Sequence, residues 1–337
     1  MNYKIQKQYE KNVELENLLD LLNPELAIAD YTLTKSFGYP KQRPIFIIGC
    51  PRSGTSLIHQ WLASLGVFSY PSNLISRFYC APYIGCLIQK ILFDKKLDHH
   101  YQLGEYVEPF SFLSDLGHTK GMFAPNEFNY WWWHLLNDEE KTLKAYSKGI
   151  PFCFNDFIRG VSSFENAFNK PVVMKAIPIM FNLDILWTAL PNGITILNVN
   201  RDSFYCAQSI LEAREKYYGD ISCWWSCKPH EFDKKYPSDL LLNPFLEVAA
   251  QVQMTKNQID KQKINCSSNV IWIDLYYEDF CSNQFTLIEQ LEEYYPEIDK
   301  ITLCSQQKHF PLKNSIRLNP NQVEELNTFL RECKDVI

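Results

Sequence analysis

Short apolar runs alternate with helical patterns along most of this chain. Four runs rich in β-branched or aromatic residues predict strands at residues 44–49, 171–177, 194–200 and 269–277. Apolar residues at helical spacing follow each of these runs. Strands that alternate with helices indicate an α/β fold, in which a doubly wound, mostly parallel sheet is flanked by helices.

The same patterns divide one predicted domain, residues 1–337, into four parts. Residues 1–43 predict a helical leader, and residues 44–66 contain the first strand, a loop and a helix. Residues 67–170 form a less regular, aromatic-rich helical insertion, and residues 171–337 complete the core. No stretch rich in Gly, Ser or Pro separates these parts, so we predict a single domain.

Composition narrows the class of protein. The 337 residues are 46% hydrophobic and carry a net charge of −6, so we expect a large core and no general nucleic-acid surface. The eleven cysteines show no paired zinc spacing, which favours free thiols in a reducing compartment. The sequence shows neither a signal peptide nor an apolar run long enough to cross a membrane. We therefore expect a cytoplasmic protein with no membrane or nucleic-acid partner.

The run "FIIGCPRSGTSL" predicts a phosphate-binding loop between the first strand and its helix. Gly49, Gly54 and Ser56 match the frame G-x-x-x-x-G-x-[ST]. N–H groups at the helix start, the helix dipole and nearby hydroxyls favour an anion there. Arg52 adds a guanidinium cation with several hydrogen-bond donors. Thr55 stands where a nucleoside triphosphatase has lysine. The alternative is an ordinary capped helix start beside a surface arginine.

A second arginine follows the third predicted strand. Arg201 stands at the strand end, and Ser209 lies about two turns along the next helix. Ligands of doubly wound sheets bind beyond the carboxyl ends of the strands, so Arg201 and Arg52 are expected at the same edge. Arginine and serine together can hold a second phosphate, although a lone strand-end arginine is more often a surface ion-pair residue.

Together these motifs resemble those of sulfotransferases that use 3′-phosphoadenosine 5′-phosphosulfate (PAPS). "FIIGCPRSGTSL" is similar to the 5′-phosphosulfate loop of that family in its PRSGT form, and "NVNRDSFYCAQS" is similar to its 3′-phosphate motif. "LYYEDF" resembles a later element whose tyrosine lies near the nucleotide. The resemblance implies PAPS as co-substrate, 3′-phosphoadenosine 5′-phosphate (PAP) as product, and no metal. The nucleotide-binding residues that it implies are Gly49, Pro51, Arg52, Ser53, Gly54, Thr55, Ser56, Arg201, Ser209 and Tyr277.

The resemblance also implies catalytic groups. Arg52 would stabilise the bridging oxygen, and Lys175 in "VVMKAIP" matches a strand that carries a catalytic lysine, although a lysine can equally cap a strand end. The proton acceptor departs from the family pattern. Ile177 stands where the cytosolic branch has histidine, and Asn73 stands where the tyrosylprotein branch has glutamate.

The base must then come from elsewhere, and residues 101–137 contain the best candidates. Glu127 in "APNEFNYWWW" is the first and His118 in "GHTKG" is the second, because aromatic surroundings can tune a carboxylate or imidazole. The other acidic and histidine residues of the segment are Glu105, Glu108, Asp115 and His134. The tryptophans at 131–133 fit either a pocket wall or plain core packing.

The same segment suggests an acceptor. It contains four carboxylates against a single lysine among many aromatic residues, which suits a cationic small molecule. We therefore expect the insertion to form an acceptor pocket for a cationic natural product of secondary metabolism that bears hydroxyl, guanidinium or amine groups. A glycan is the alternative acceptor, since sugars also bind aromatic platforms. The oligomeric state is left open.

Two other functions fit parts of the sequence. "VIWID", which ends at Asp274, resembles a Walker B strand and would suit a P-loop NTPase or kinase, but Thr55 replaces the required lysine. A nucleotide-binding homologue without activity would explain the missing histidine and glutamate. The C-terminal run "KHFPLKNSIRLNPNQ" predicts a flap that contacts the nucleotide through Lys313 or Arg317.

Overall fold

A sheet of four parallel strands lies at the centre of the molecule. The computed structural model describes residues 4–94, 96–97, 111–137, 152–237, 243–298 and 309–335. The strands are β1 Ile45–Gly49, β2 Ser114–Asp115, β3 His118–Thr119, β4 Val173–Lys175, β5 Ile194–Asn200 and β6 Val270–Tyr276. The central sheet has the order β4-β1-β5-β6, and β2 and β3 form a separate hairpin.

Helices make up much of the remaining described chain. They are α1 Val13–Thr34, α2 Thr55–Ser64, α3 Pro82–Phe93, α4 Asn129–Leu135, α5 Phe154–Phe168, α6 Asp184–Ala189, α7 Ser203–Tyr218, α8 Phe232–Lys235, α9 Pro244–Ile264, α10 Tyr277–Ser282, α11 Phe285–Glu292 and α12 Pro320–Asp335. Short 3₁₀ turns cover Lys7–Tyr9, Ile75–Phe78 and Ile177–Ile179. Among the described residues, no helix is long and apolar enough to cross a membrane.

Apolar side chains on both faces of the sheet explain why helices cover both faces. Along β1, Phe46 and Ile48 belong to the core cluster that includes α5, whereas Ile45 and Ile47 belong to the cluster that includes α2. All four side chains are fully buried. A continuous apolar run is what a central parallel strand requires. The predicted α/β fold, with a parallel sheet flanked by helices, is confirmed.

The strand order reverses beside β1, because β4 pairs on one side of it and β5 on the other. Gly49 at the end of β1 pairs with Val199 near the end of β5. The loop after β1 and Arg201 after β5 therefore leave the sheet side by side. This is the crevice where doubly wound sheets bind ligands.

The insertion contains three helices, α3 to α5, in its described part. Its aromatic run lies on α4, where Trp131 and Trp132 are 1% and 0% exposed. Trp132 Nε1 also donates a hydrogen bond to the main-chain oxygen of Lys175 at 2.9 Å. These two tryptophans therefore pack in the core and do not line a pocket, and Trp132 also braces the end of β4.

Candidate active site

The loop after β1 is built around two glycines. Gly49 and Gly54 have φ angles of +152° and +105°, in a region that residues with side chains rarely adopt. A Cβ atom on Gly49 would lie 2.5 Å from the oxygen of Val199, and one on Gly54 would lie 2.6 Å from Cδ2 of Tyr277. The two glycines thus allow the loop backbone to lie against β5 and against the Tyr277 ring.

Hydroxyl groups of the loop gather at the start of α2. Thr55 is the first residue of the helix, whose first N–H groups have no acceptor within the helix. Ser53 Oγ is buried and has no hydrogen-bond partner among the described residues, and Pro51 is buried as well. Ser56 Oγ accepts a hydrogen bond from Lys175 Nζ at 3.2 Å. Free N–H donors and an unpartnered buried hydroxyl fit an anionic ligand such as a phosphosulfate.

Arg52 and Arg201, which were expected at the same edge, lie next to each other. Arg201 Nη1 donates to the main-chain oxygen of Arg52 at 2.8 Å, and Arg52 Nε donates to Ser209 Oγ at 2.9 Å. Arg52 has a φ of +68°, a left-handed conformation that is uncommon outside glycine. Burial and the charge of Arg201 both lower the pKa of Arg52. Two cations held this close favour the binding of an anion.

The C-terminal segment, residues 309–318, reaches the same place. Arg201 Nη2 donates to the main-chain oxygen of Lys313 at 2.6 Å, and Arg201 Nε donates to Asn314 Oδ1 at 3.0 Å. Arg317 instead pairs with a glutamate of α7. The segment therefore lies over Arg201, which it contacts through a carbonyl and an asparagine. The predicted contact of Lys313 or Arg317 with a nucleotide stays a prediction.

Lys175, Glu127 and Ser56 form a second cluster beside the loop. Lys175 ends β4, and its ammonium group forms an ion pair with Glu127. The side chains of Lys175 and Glu127 are 4% and 28% exposed. Burial acts to raise the pKa of Glu127, but the charge and hydrogen bond of Lys175 together with His118 and Asn129 outweigh it and lower that pKa. Glu127 is therefore ionised beside a cation at neutral pH.

The β2–β3 hairpin covers this ion pair. A Cβ atom on Gly117, at the tip of the hairpin, would lie 2.9 Å from Glu127 Oε1. Asn73 Nδ2 donates a hydrogen bond to the main-chain oxygen of Thr119 at 3.2 Å. The side-chain oxygen of Asn73, Oδ1, in turn accepts a hydrogen bond from Asn126 Nδ2 at 2.7 Å. Asn73 thus connects the hairpin to the residue that precedes Glu127.

Two other predicted residues lie on the same hairpin. His118 is exposed. Asp115 accepts hydrogen bonds from Lys216 Nζ at 2.6 Å and from Tyr9 Oη at 3.1 Å, which holds the hairpin to α7 and to the N-terminal segment. The remaining predicted carboxylates, Glu105 and Glu108, lie outside the described residues. In the described part of residues 101–137, both carboxylates are therefore paired with lysines, so this part does not present unpaired negative charge.

Two further candidates lie apart from this cluster. His134 Nδ1 on α4 lies 3.7 Å from Cys80 Sγ, and burial lowers its pKa. Asp274 accepts hydrogen bonds from Asn198 Nδ2 at 2.8 Å and from Lys263 Nζ at 2.5 Å. Its carboxylate is thus engaged by a neighbouring strand and by α9, which gives the Walker B interpretation no support.

Two residues of the site, Lys256 and Trp225, carried no sequence signal, and Asn314 lies in the predicted C-terminal flap without having been predicted as a contact. Lys256 Nζ donates to the main-chain oxygen of Arg201 at 2.6 Å. The Trp225 ring centroid lies 5.9 Å from the guanidinium of Arg52. These residues come from α9, from the C-terminal segment and from the stretch after α7, so only the fold brings them to the two arginines.

A cavity of about 280 Å³ lies between α8 and α9, with His230, Lys234 and Lys261 in its lining. None of the site residues above lines it, so the convergence of side chains, and not this cavity, locates the candidate site. In the part of the chain that the structure describes, no group of three or more His, Cys, Asp or Glu residues is placed to hold a metal ion.

Known proteins share this architecture. Sulfotransferase STF9 from Mycobacterium avium has a TM-score of 0.55 at 14% identity, with 96% of this chain and 84% of that chain covered. Sulfotransferase STF1 from Mycobacterium tuberculosis H37Rv has a TM-score of 0.53 at 12% identity, with coverages of 93% and 83%. At these identities the likeness shows the fold alone. No curated protein sequence matches the chain significantly. A sequence model of the sulfotransferase family matches residues 44–296, and the chain therefore belongs to that family.

Proposed function

We propose that the protein transfers a sulfuryl group from PAPS to a hydroxyl or nitrogen atom of a small-molecule acceptor. The observation that supports this most directly is the convergence of Arg52, Ser209 and Arg201 beside the loop after β1. PAPS has two separate anionic ends. Two neighbouring cationic subsites at one edge of the sheet match those ends in charge and in donor chemistry.

Different residues of the chain would bind the two anionic ends of PAPS. The N–H and hydroxyl groups of residues 49–56 would hold the 5′-phosphosulfate, which supplies the sulfuryl group. Arg201 and Ser209 would hold the 3′-phosphate, and binding would exchange some of the hydrogen bonds that Arg201 makes to residues 313–314. Tyr277, whose ring centroid lies 4.6 Å from the Arg201 guanidinium, would flank the nucleotide between the two ends.

Transfer requires positive charge on the sulfuryl oxygens and an acceptor for the proton of the attacking group. Arg52 would stabilise the bridging oxygen from within the loop. Lys175, which donates to the loop residue Ser56, would add charge from β4. Glu127 would accept the proton, because Lys175 keeps its carboxylate ionised, and His118 on the covering hairpin is the alternative base.

The proposed acceptor is a cationic natural product that enters between the hairpin and the loop. This class rests on the sequence of residues 101–137, which has four carboxylates and one lysine, although Asp115 and Glu127 are already paired with Lys216 and Lys175. A glycan remains the alternative acceptor. We also propose a cytoplasmic location, which would keep the free cysteines of the described chain reduced.

Two measurements test the proposed function. Calorimetry should show PAP binding at least about tenfold tighter than AMP or ATP binding, because only PAP carries the 3′-phosphate. Transfer of radiolabelled sulfate from PAPS to cationic, neutral and anionic acceptors should then reveal activity. Tight ATP binding with weak PAP binding would favour the kinase alternative, and PAP binding without transfer to any acceptor would favour an inactive homologue. A preference for anionic acceptors would contradict the cationic class.

A further inference from the structure

Lys256 lies behind the proposed 3′-phosphate subsite. This half-buried residue of α9 donates through Nζ to the main-chain oxygen of Arg201 at 2.6 Å and to Ser203 Oγ at 2.8 Å. Arg201 belongs to the turn that joins β5 to α7, and Ser203 is the first residue of α7. A single ammonium group thus holds the turn that precedes the helix on which Ser209 lies.

This turn determines where the Arg201 side chain points. Arg201 is 8% exposed, and its guanidinium bridges Arg52 and the C-terminal segment. The next residue, Asp202, caps α7 by accepting a hydrogen bond from Phe204 N at 2.8 Å. With its carbonyl bound to Lys256, Arg201 is fixed at its backbone as well as at its guanidinium. Release of that carbonyl would allow the peptide plane to rotate and the side chain to move.

The charge of Lys256 also reaches the loop. Cys50 lies between Gly49 and Pro51, and its thiol is buried. The hydrogen bond with Cys206 and burial raise the pKa of Cys50, while the charge of Lys256 opposes them. The Lys256 ammonium group also lies 2.6 Å from the main-chain oxygen of Arg201, so its positive charge adds to that of Arg201 at the 3′-phosphate subsite.

We propose that Lys256 is a positioning residue of the 3′-phosphate subsite, a role that rests on the proposed function. It holds the turn that presents Arg201, and it adds a third positive charge to those of Arg52 and Arg201. Lys256 acts through Arg201 and not by contact with the nucleotide. Its loss should therefore weaken recognition of the 3′-phosphate more than recognition of the rest of the nucleotide.

Calorimetry with PAP and AMP tests this role, because the two nucleotides differ only in the 3′-phosphate. We expect Lys256→Met to lower PAP affinity about tenfold or more and to leave AMP affinity within about twofold of wild type. Lys263→Met is the matched control. Lys263 lies on the same helix and pairs with Asp274 at 2.5 Å, so its loss should keep the wild-type ratio of the two affinities.

Equal losses of PAP and AMP affinity in Lys256→Met, with unchanged circular dichroism, would overturn the inference, because they would indicate a purely structural role. If Lys256→Met does not fold, the same comparison of PAP and AMP affinities is made with Lys256→Gln, which removes the charge and shortens the side chain. An unchanged affinity ratio in Lys256→Gln would also overturn the inference. A wild-type protein that binds PAP and AMP equally would instead contradict the proposed function, so the two failures are distinguishable.

Discussion

The main-chain oxygen of Arg52 accepts a hydrogen bond of 2.8 Å from Nη1 of Arg201. The bond ties the loop after β1 to the end of β5, and it places two cations in one partly buried crevice. Burial and the charge of Arg201 lower the pKa of Arg52. An anion that binds either arginine therefore relieves the repulsion at both, which couples the two proposed subsites.

Replacement of Arg52 by alanine should lower sulfate transfer by about 10²–10³-fold, because one preorganised donor to the bridging oxygen is lost. Radiolabelled sulfate transfer to the best acceptor of the panel measures the effect. The matched control is Arg331→Ala, which removes an exposed arginine of α12 and should leave transfer unchanged. Full activity in a folded Arg52→Ala variant would contradict the assigned role.

Replacement of Lys175 by methionine should move the acidic limb of the pH–rate profile to higher pH. In the native protein, Lys175 lowers the pKa of Glu127 against the opposing effect of burial. Without the ammonium group burial raises that pKa, so the carboxylate takes up its proton at higher pH. Glu127→Gln should lower transfer by about 10²–10⁴-fold and remove the limb. A limb that does not move in Lys175→Met would mean that another group, such as His118, accepts the proton.

The same ion pair predicts a non-additive effect on stability. Lys175→Met should lower the free energy of unfolding at pH 7 by less than the ~3–5 kcal/mol typical of a fully buried pair, because 28% of the Glu127 side chain is exposed. Adding Glu127→Gln should recover part of that loss, since no unpaired carboxylate remains. Urea unfolding of both single variants and the double variant measures this coupling. Strictly additive losses would contradict it.

The sign of the pH dependence follows from the lowered pKa of Glu127. Its ordinary pKa is 4.5, and the folded protein holds it lower. The stabilisation from the ion pair is therefore present above pH 4.5 and is lost as the pH falls through the folded pKa. Urea unfolding below pH 4.5 should show this acid loss in the wild-type protein and a smaller one in Glu127→Gln. Identical acid profiles of the two proteins would exclude a contribution from this pair.

Replacement of Gly54 by alanine should destabilise the protein by ~1–3 kcal/mol through its left-handed backbone. The substitution should lower the stability further, because the new Cβ atom would lie only 2.6 Å from Cδ2 of Tyr277. Gly66→Ala is the matched control, because Gly66 also has a positive φ of +74° but no atom lies within 4 Å of an added Cβ. Thermal melting and PAP titration should show a larger loss for Gly54→Ala. Equal effects of the two substitutions would show that contact with Tyr277 is unimportant.

The sheet and the loop could be predicted because their signals are local. The continuous apolar run at residues 45–49 fits a strand buried on both faces, and the spacing of Gly49 and Gly54 fits a loop that approaches other groups closely. The proximity of Arg52 and Arg201 then followed from a general property of doubly wound sheets. The strand and the loop were thus each encoded in a short stretch of sequence, whereas the parallel arrangement followed from the alternation of strands and helices along the chain.

Other parts of the site could not be predicted, because their residues belong to distant segments that only the fold brings to Arg201. Lys256 and Asn314 hold Arg201 by hydrogen bonds that no residue pattern encodes. The aromatic run at 131–133 was ambiguous, since tryptophan suits a pocket wall as well as a core. Only its packing against α5 and the bond from Trp132 to Lys175 decide between the two.

Tyr9 connects the N-terminal segment to the cover over the proposed proton acceptor. Its hydroxyl binds Asp115 of the hairpin that covers the Lys175–Glu127 pair, although it belongs to a 3₁₀ turn with no motif of its own. Trimming the chain beyond Tyr9, or fusing a bulky tag close to it, would loosen this cover and admit water to the ion pair. Preparations that differ only at their amino terminus would then differ in turnover.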